Sequence, residues 1–430
     1  MGCKQGKRVT ARLARCLAAV LVVACAVLSG GMAAAATPVK LGLNYPHTGE
    51  YREEGLMQKR GALMAVEEIN AAGGVFGRPL ELLDRDSASQ ADRARANVDE
   101  LAAQGVAMLF GGSSSSVAIA ASEQARRHNL LYFGTLTYSN DTTGKDGHLG
   151  MFRECYSAWM AARVLGDYLK REYGDKTYYY VTADYTWGHT TEASMRELTG
   201  TTDERRHGSV LVPFPGGRYH EIQEAVKAAA ESDAEVLVMV LFGEQMVHGM
   251  TIAQQMNLPK RMQIVVPNLT LSMVEQTGPF IMAGVIGAAP WTWNVPFEFD
   301  YPRGRQFVEG FSERYHTRPS TSAASAYSIV YQWKDAVERA NSFNTASVRR
   351  ALEGHHYSLL KDEQYWRAFD HQNVQSVYAV RIKPRDQVMQ DEYRQNFFEI
   401  INSMSGEDAA PTEQQWRKER RRHDRPEQLE

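Results

Sequence analysis

Residues 69–84, INAAGGVFGRPLELLD, constrain the fold more than any other part of the chain. Apolar residues recur at helical spacing before this stretch, and an apolar run of strand length ends it. The pair Gly73 and Gly74 can supply the positive φ with which many helices end. A helix that returns to a strand within a few residues is typical of layered α/β proteins. The sequence therefore predicts an α/β fold.

Apolar runs of strand length alternate with helical patterns from Val39 onward, as expected of parallel βαβ units. The run VLVMVL, residues 236–241, is apolar throughout, which indicates a sheet covered on both faces. Because 430 residues exceed what one hydrophobic core usually supports, two lobes are expected. The predicted strands are 39–43, 80–84, 106–110, 130–133, 177–182, 209–212, 236–241, 264–266, 285–288 and a pair within 374–383.

The N-terminus has the pattern of an export signal. Basic residues without acidic ones precede an apolar run over residues 17–28, and small residues fill 30–36. Ala36 fits the small-residue rule for cleavage, so residues 1–36 are predicted to be removed and the chain to reach the periplasm. A membrane anchor is the alternative, but the run is shorter than the roughly 20 residues that span a bilayer. Lipidation at Cys25 is a further alternative, less favoured because the apolar run continues past this cysteine.

The charge balance argues against a nucleic-acid partner. Removal of residues 1–36 deletes five basic residues and takes the formal net charge from -3 to about -8, which leaves no basic field for nucleic acid. The same removal leaves Cys155 as the one cysteine, so no internal disulfide is expected. Stability must then come from a large hydrophobic core.

Three motifs resemble a known family. The spacing NxAGGxxGRxxxL at residues 70–82 resembles the hallmark of the type I periplasmic solute-binding proteins of ABC importers, the leucine/isoleucine/valine-binding family. The first loop, residues 44–55, is similar to that family's P-x-[TS]-G-x5-G pattern, and DYTWG at 184–188 is similar to its D-Y-x-[YW]-G motif. The resemblance covers nearly all of residues 38–385.

The resemblance implies two doubly wound, Rossmann-like lobes joined by a hinge of three crossovers. It also implies a small-molecule ligand held between the lobes, ABC permease subunits as membrane partners, and neither cofactor nor metal. Crossings are expected near 154–157, 290–294 and 368–373. The expected segments are 37–155 and 292–368 for lobe 1, and 156–291 and 369–405 for lobe 2. The charged tail, 406–430, is expected to be disordered.

Ligands of open α/β sheets bind beyond the carboxyl ends of strands, so the loops that leave strands hold the candidate residues. After the strand at 106–110, a run of serines precedes a helix, and hydroxyls with free N–H groups there favour a carboxylate. A plain helix N-cap is the alternative. The family uses this loop to grip the ligand's carboxylate, which points to Ser114 and Ser115. By position, the family's next loop implies that Thr135 and Leu136 act through their backbone and Thr137 through its hydroxyl.

The second lobe contributes aromatic and amide candidates. In the family, the aromatic residue before the glycine of DYTWG lies over the ligand, which implies Trp187 and then Tyr185; packing within their own lobe is the alternative. Tyr51 and Phe242 are further candidates for the cleft. Amino-acid-binding members commonly carry a carboxylate where this chain has Asn268.

An amide cannot neutralise a buried ammonium as a carboxylate does, which argues against an ordinary α-amino acid as ligand. Glu244, in the neighbouring loop, is a possible substitute for the missing carboxylate. A surface position in the first turn of a helix is the commoner role for such a glutamate.

No motif for enzymatic catalysis is present: GxSxG, HExxH, CxxC, the P-loop and a strand-linked GxGxxG are all missing from the sequence. A hydrolase that pairs Ser114 with His128 is disfavoured, because the following helix separates them by roughly 18 Å at 1.5 Å per residue. A periplasmic sensor that passes its closed state to a receptor is the main alternative to a transport protein. The sequence therefore predicts a binding protein that closes on its ligand without covalent chemistry.

Overall fold

The computed structural model describes residues 36–430. The predicted export signal, residues 1–36, lies outside the described residues apart from Ala36. Within residues 36–430, no helix combines the length and the apolar character that crossing a bilayer requires.

The first of two large sheets is parallel throughout, with strand order β2-β1-β3-β4-β5. Its strands are β1 (Val39–Tyr45), β2 (Leu80–Asp86), β3 (Met108–Gly111), β4 (Tyr132–Gly134) and β5 (Met151–Arg153). The order reverses at β1, between β2 and β3, and such a switch point opens a crevice at the carboxyl ends of the strands.

The second large sheet has the order β15-β14-β10-β9-β8-β6-β7, parallel except for β14 and β15, which run antiparallel to their neighbours. Its order reverses at β6, between β7 and β8. Its strands are β6 (Tyr178–Asp184), β7 (Gly208–Pro213), β8 (Val236–Val240), β9 (Gln263–Val266), β10 (Ile286–Ala289), β14 (Val377–Ile382) and β15 (Phe398–Met404). The α/β class and the doubly wound architecture are thus confirmed.

Helices cover both faces of each large sheet. In chain order the α-helices are α1 (Arg52–Ala71), α2 (Ala91–Ala103), α3 (Ser115–Arg127), α4 (Ala158–Tyr173), α5 (Thr186–Thr199), α6 (Tyr219–Glu231), α7 (Glu244–Gln255), α8 (Leu271–Thr277), α9 (Pro279–Met282), α10 (Val295–Glu298), α11 (Pro302–Tyr315), α12 (Thr321–Ala340), α13 (Thr345–Leu352), α14 (Arg385–Val388), α15 (Gly406–Ala409) and α16 (Glu413–Arg422).

The alternation of side chains along β3 shows how the first sheet is buried. Leu109 packs in the hydrophobic cluster built with α2 and α3, whereas Met108 and Phe110 pack in the larger cluster that includes α1 and α12. Helices α1 and α12 can approach closely because Gly61 has no side chain. A Cβ at this position would lie only 2.1 Å from the carbonyl oxygen of Ala323. Burial on both faces explains the near-continuous apolar strands.

The joint at residues 69–84 folds as predicted. Helix α1 ends at Ala71, and Gly73 and Gly74 follow with φ of +103° and +75°. The side chain of Asn70 donates to the carbonyl of Leu80 at 2.9 Å and accepts from its N–H at 2.6 Å. This pair of hydrogen bonds joins the end of α1 to the start of β2.

A third, antiparallel sheet lies beside β5 and alters the expected third crossing. It consists of β11 (His356–Tyr357), β12 (Gln364–Trp366) and β13 (Asn373–Val374). Because Gln372 also bridges to Arg153 at the end of β5, residues 369–374 pack with the first sheet rather than the second. The crossing predicted at 368–373 is therefore too early, and the chain changes sheets between β13 and β14. The remaining lobe boundaries stay a prediction.

The charged tail is ordered, which corrects the expectation of a disordered segment. Helix α16 starts with a capping box between Thr412 and Gln415. Trp416 and Arg420, four residues apart and so on one helical face, are 5% and 3% exposed. Burial of these two side chains stabilises the folded tail, which the high charge content of the segment did not lead us to expect.

A buried histidine near this tail predicts a pH dependence of stability. His148 accepts a hydrogen bond from the N–H of Gly150, and burial lowers its pKa from 6.5 to about 4, with smaller effects from Arg126 and His371. The unfolded chain therefore takes up a proton as the pH falls through 6.5, whereas the folded chain does so only near 4. The unfolding free energy should fall by about 3 kcal/mol across this window.

Denaturant titrations at several pH values compare the protein with His148→Asn, which retains an acceptor near Gly150. Because the carboxylates titrate alike in both proteins, the difference isolates the histidine. Equal pH slopes between 6.5 and 4 would contradict the assignment.

Candidate functional site

The carboxyl ends of β3 and β4 face those of β6 and β8 across a small cavity. Its volume is about 10 Å³, close to what one water molecule needs. The lining residues are Ser113, Ser114, Ser115, Leu136, Tyr138, Tyr185, Trp187 and Phe242. Six residues predicted from separate loops, namely Ser114, Ser115, Leu136, Tyr185, Trp187 and Phe242, thus come together at one place.

Aromatic side chains join the two large sheets beside this cavity. The Tyr51 ring lies 5.3 Å from that of Phe242 and 6.1 Å from that of Phe214, and Phe214 stacks on Tyr185 at 4.0 Å. The approach of Tyr51 depends on Gly243, where a Cβ would lie 2.7 Å from the tyrosine ring. Phe214, which follows the edge strand β7, was not predicted from the sequence.

The hydroxyl groups of Ser113, Ser114 and Ser115 differ in their hydrogen bonds. Ser114 is the N-cap of α3 and accepts from the N–H of Val117 at 3.4 Å, as in the plain N-cap alternative. The Ser115 hydroxyl accepts from the N–H of Ser139 at 2.9 Å. Among the described residues, the buried Ser113 hydroxyl has no hydrogen-bond partner. The free hydroxyl therefore belongs to Ser113, which was not predicted from the sequence.

The two predicted threonines do not line the cavity. The Thr135 hydroxyl donates to Gln58 at 2.8 Å, and Gln58 in turn donates to the carbonyl of Gly112 at 2.9 Å. The Thr137 hydroxyl pairs with that of Thr142 at 2.7 Å. Both hydroxyls stabilise the loops around the site. A ligand contact of the Thr137 hydroxyl stays a prediction.

A tyrosine pair connects the cavity with Asn268. The Tyr138 ring, which lines the cavity, packs edge-on against that of Tyr156 at 5.3 Å, and the Tyr156 hydroxyl donates to Asn268 Oδ1 at 2.7 Å. Burial holds the pKa of Tyr138 well above its usual value, so its hydroxyl stays protonated. Within the described chain, neither the Tyr138 hydroxyl nor Asn268 Nδ2 forms a well-aligned hydrogen bond, although the Asn268 side chain is near enough to lower the pKa of Tyr138 against the larger effect of burial.

The lining of the cavity carries no charged side chain. Glu244, the possible substitute for a carboxylate at Asn268, is exposed in the first turn of α7. A buried carboxylate, Glu54, does not line the cavity. Its Oε2 accepts hydrogen bonds from Ser322 at 2.5 Å and Ser320 at 3.4 Å, whereas its Oε1 has no partner among the described residues. The polar groups of the cavity are therefore neutral.

Buried polar side chains tie together the three segments that connect the large sheets. Lys361 Nζ donates to the carbonyls of Pro290 and Ser376, both at 2.7 Å, and Gln375 donates to the carbonyl of Glu154. Burial lowers the pKa of Lys361 to about 8. These contacts place the connecting segments side by side, as a hinge requires.

The Ser114–His128 pair of a hydrolase does not form. His128 ends α3, away from Ser114 at its start, and pairs with Asp99 at 2.5 Å. Over the described range, His, Cys, Asp and Glu residues form no group of three or more that would hold a metal ion.

Comparison with known proteins agrees with the fold. A family model described as "Periplasmic binding protein" matches residues 38–387. The leucine-, isoleucine-, valine-, threonine- and alanine-binding protein of Pseudomonas aeruginosa is 33% identical over 171 residues, which cover 40% of this chain and 44% of that protein. The chain thus matches less than half the length of this curated relative.

Two crystal structures illustrate the shared fold. A periplasmic binding protein from Burkholderia mallei is 21% identical, with a TM-score of 0.79 over 88% of this chain and 97% of that chain. A solute-binding protein of an ABC transporter from Rhodopseudomonas palustris, in complex with 3,4-dihydroxybenzoic acid, is 16% identical, with a TM-score of 0.72 over 86% and 98%. The family consists of non-enzymatic binding proteins. With its family model matched over most of its length, this chain belongs to the periplasmic binding protein family.

Proposed function

We propose that this protein captures a small solute bearing a carboxylate between its two lobes, in the periplasm, and delivers it to the permease of an ABC importer. The observation that carries the proposal is the set of unpaired buried donors at the cavity. Ser113 offers a hydroxyl in its wall, and the neighbouring side chains of Tyr138 and Asn268 offer a hydroxyl and an N–H group that form no well-aligned hydrogen bond with each other. Each unpaired polar group costs about 1–3 kcal/mol, so a ligand that accepts hydrogen bonds would be favoured.

The neutral lining supports a ligand without an ammonium group. A buried cation needs a partner of opposite charge, and no carboxylate lines the cavity. The wall from the second sheet is aromatic, with Tyr185, Trp187 and Phe242, which suits an apolar or aromatic body. The bound 3,4-dihydroxybenzoate of the Rhodopseudomonas palustris relative is a ligand of this class.

Capture by lobe closure follows from the size of the cavity. A volume of about 10 Å³ admits no solute larger than water, so the two walls must separate before a ligand enters. The three connecting segments held by Lys361 and Gln375 are the natural axis for that movement. Closure then replaces water by hydroxyl, amide and aromatic contacts, and no bond is formed or broken in the ligand.

A thermal-shift screen with matched compounds tests the proposal. We expect 3-phenylpropionate and 3-methylpentanoate to raise the melting temperature more than L-phenylalanine and L-isoleucine, which add an ammonium group, and benzoate more than benzamide. A ligand at about 100 times its Kd stabilises the fold by about 2.7 kcal/mol.

The outcomes of the screen separate the parts of the proposal. A response to benzamide without one to benzoate would contradict the proposal that the ligand bears a carboxylate. A response to the amino acids alone would contradict the proposal that the site binds ligands without an ammonium group. Loss of that response in Glu54→Gln would identify Glu54 as the partner of the ammonium. No response to any of these compounds would contradict the proposed ligand class.

A further inference from the structure

The C-terminal segment, residues 405–430, crosses from one large sheet to the other. It leaves β15 of the second sheet through α15, which packs against α4, where Arg163 donates to the carbonyl of Asp408 at 3.3 Å. Helix α16 then docks on the loop of residues 139–148, which follows β4 of the first sheet. We call residues 405–430 the strap and residues 139–148 the docking loop. The family model ends at residue 387, before the strap begins.

Backbone carbonyls of the docking loop hold the strap. Trp416 Nε1 donates to the carbonyl of Thr143 at 2.8 Å, and the guanidinium of Arg420 donates to the carbonyls of Gly144 at 2.6 Å and Gly147 at 3.2 Å. The N–H of Leu149 donates to the carbonyl of Glu430 at 3.2 Å. A buried tryptophan and a buried arginine thus hold the loop from the side of the strap, in addition to the contacts of Arg153 with Ser139 and Thr143.

The other side of the docking loop contacts the second lobe. The Ser139 hydroxyl pairs with that of Thr186 at 2.8 Å, and Asn140 Nδ2 donates to the Ser194 hydroxyl at 2.9 Å. Both partners lie on α5, the helix that carries Trp187 into the ligand cavity. The docking loop therefore contributes part of the surface on which the two lobes meet.

The strap acts on α5 through the loop because a space separates the two helices. A cavity of about 340 Å³ is lined by the docking loop, by Thr190, Ser194 and Glu197 of α5, and by Gln415 and Lys418 of α16. Hydrogen bonds join α16 to the loop and the loop to α5, whereas none joins α16 to α5 among the described residues.

We propose that the strap is a positioning element for closure: Trp416 and Arg420 hold the docking loop in the conformation that binds α5, and so favour the closed arrangement of the lobes. The proposal rests on the lobe movement in the proposed function. By linkage, a change in the strap changes the apparent affinity for any ligand that binds the closed form. The closed fraction is measurable without a ligand, so this proposal can fail independently of the ligand class.

Distances between spin labels in the ligand-free protein test the proposal. Labels at Asp92→Cys on α2 and Glu224→Cys on α6 report the separation of the lobes, because both positions are exposed. The native Cys155 is buried and should not react. With Trp416→Ala, we expect the ratio of open to closed molecules to rise roughly threefold or more, in line with typical couplings.

A second variant and a control keep the test decisive if Trp416→Ala impairs folding. Arg420→Gln leaves the tryptophan in place but removes the guanidinium contacts with Gly144 and Gly147, and should shift the distances in the same direction. Gln414→Ala, an exposed position on the same helix, should leave them unchanged. Distance distributions of both strap variants that superimpose on those of the unchanged protein would overturn the proposal.

Discussion

Replacing Trp187 with alanine should reduce ligand affinity by at least about tenfold, because the indole is the largest side chain that the second lobe places at the cavity. It lies in the first turn of α5, is 2% exposed, and packs 6.0 Å from the Phe242 ring and 5.9 Å from the Tyr185 ring. Truncation removes an aromatic surface from the ligand and loosens the packing of both neighbours. Calorimetric titration with the compound that gives the largest thermal shift measures the loss.

Two further variants show whether the effect comes from the site. Trp187→Phe keeps an aromatic ring and should retain most of the affinity. Phe280→Ala removes an aromatic side chain that is 71% exposed in α9 and should change nothing. An affinity unaltered by Trp187→Ala, with a lowered melting temperature of the ligand-free protein, would return this residue to a purely structural role.

The parallel strands were predictable because burial on both faces makes them apolar throughout. The run at residues 236–241 became β8 (Val236–Val240), with every residue buried. The short strands β11 and β13 have two residues each and no apolar period, so pattern reasoning had nothing to detect. Their pairing beside β5 is what moved the third crossing toward the C-terminus.

The tail was predicted to be disordered because its high charge content was given more weight than two short patterns that favour a helix. Thr412 and Gln415 have the spacing of a capping box, and Trp416 and Arg420 have the spacing of one helical face. The arginines of α16 also pair with nearby acids, as Arg417 does with Glu413 at 2.6 Å. Such pairs stabilise a helix by a few tenths of a kcal/mol, so the buried anchors matter more.

The loops of the candidate site were predictable, whereas the roles of their hydroxyls were not. Topology brings the carboxyl ends of parallel strands together, which is why six predicted residues share one cavity. The choice between Ser113 and Ser114 depends on which serine caps α3. The Thr137 hydroxyl forms a hydrogen bond with Thr142, five residues away, and a contact of this kind produces no periodic pattern in the sequence.

Substituting alanine for Gly188 should destabilise the second lobe and abolish ligand binding together. Gly188 follows Trp187 in the first turn of α5, and a Cβ there would lie 1.8 Å from the carbonyl oxygen of Ala183 at the end of β6. Because the nearest atoms belong to the backbone of Ala183, no flexible side chain can move aside to make room for the Cβ. The first turn must therefore move away from the strand and take Trp187 and Tyr185 with it. Overpacking of this kind costs about 1–3 kcal/mol, and the upper end is expected here.

Gly310→Ala is the matched control, because it makes the same change inside α11, where the nearest atom is the flexible end of Met64 at 3.0 Å. There the better helix propensity of alanine, about 1 kcal/mol, should offset the contact. Denaturant unfolding measures both variants, and the thermal shift with ligand measures the site. A Gly188→Ala protein as stable as Gly310→Ala, with its ligand response intact, would mean that the turn after β6 adapts without moving Trp187. The glycine of this motif would then serve neither the fold nor the site.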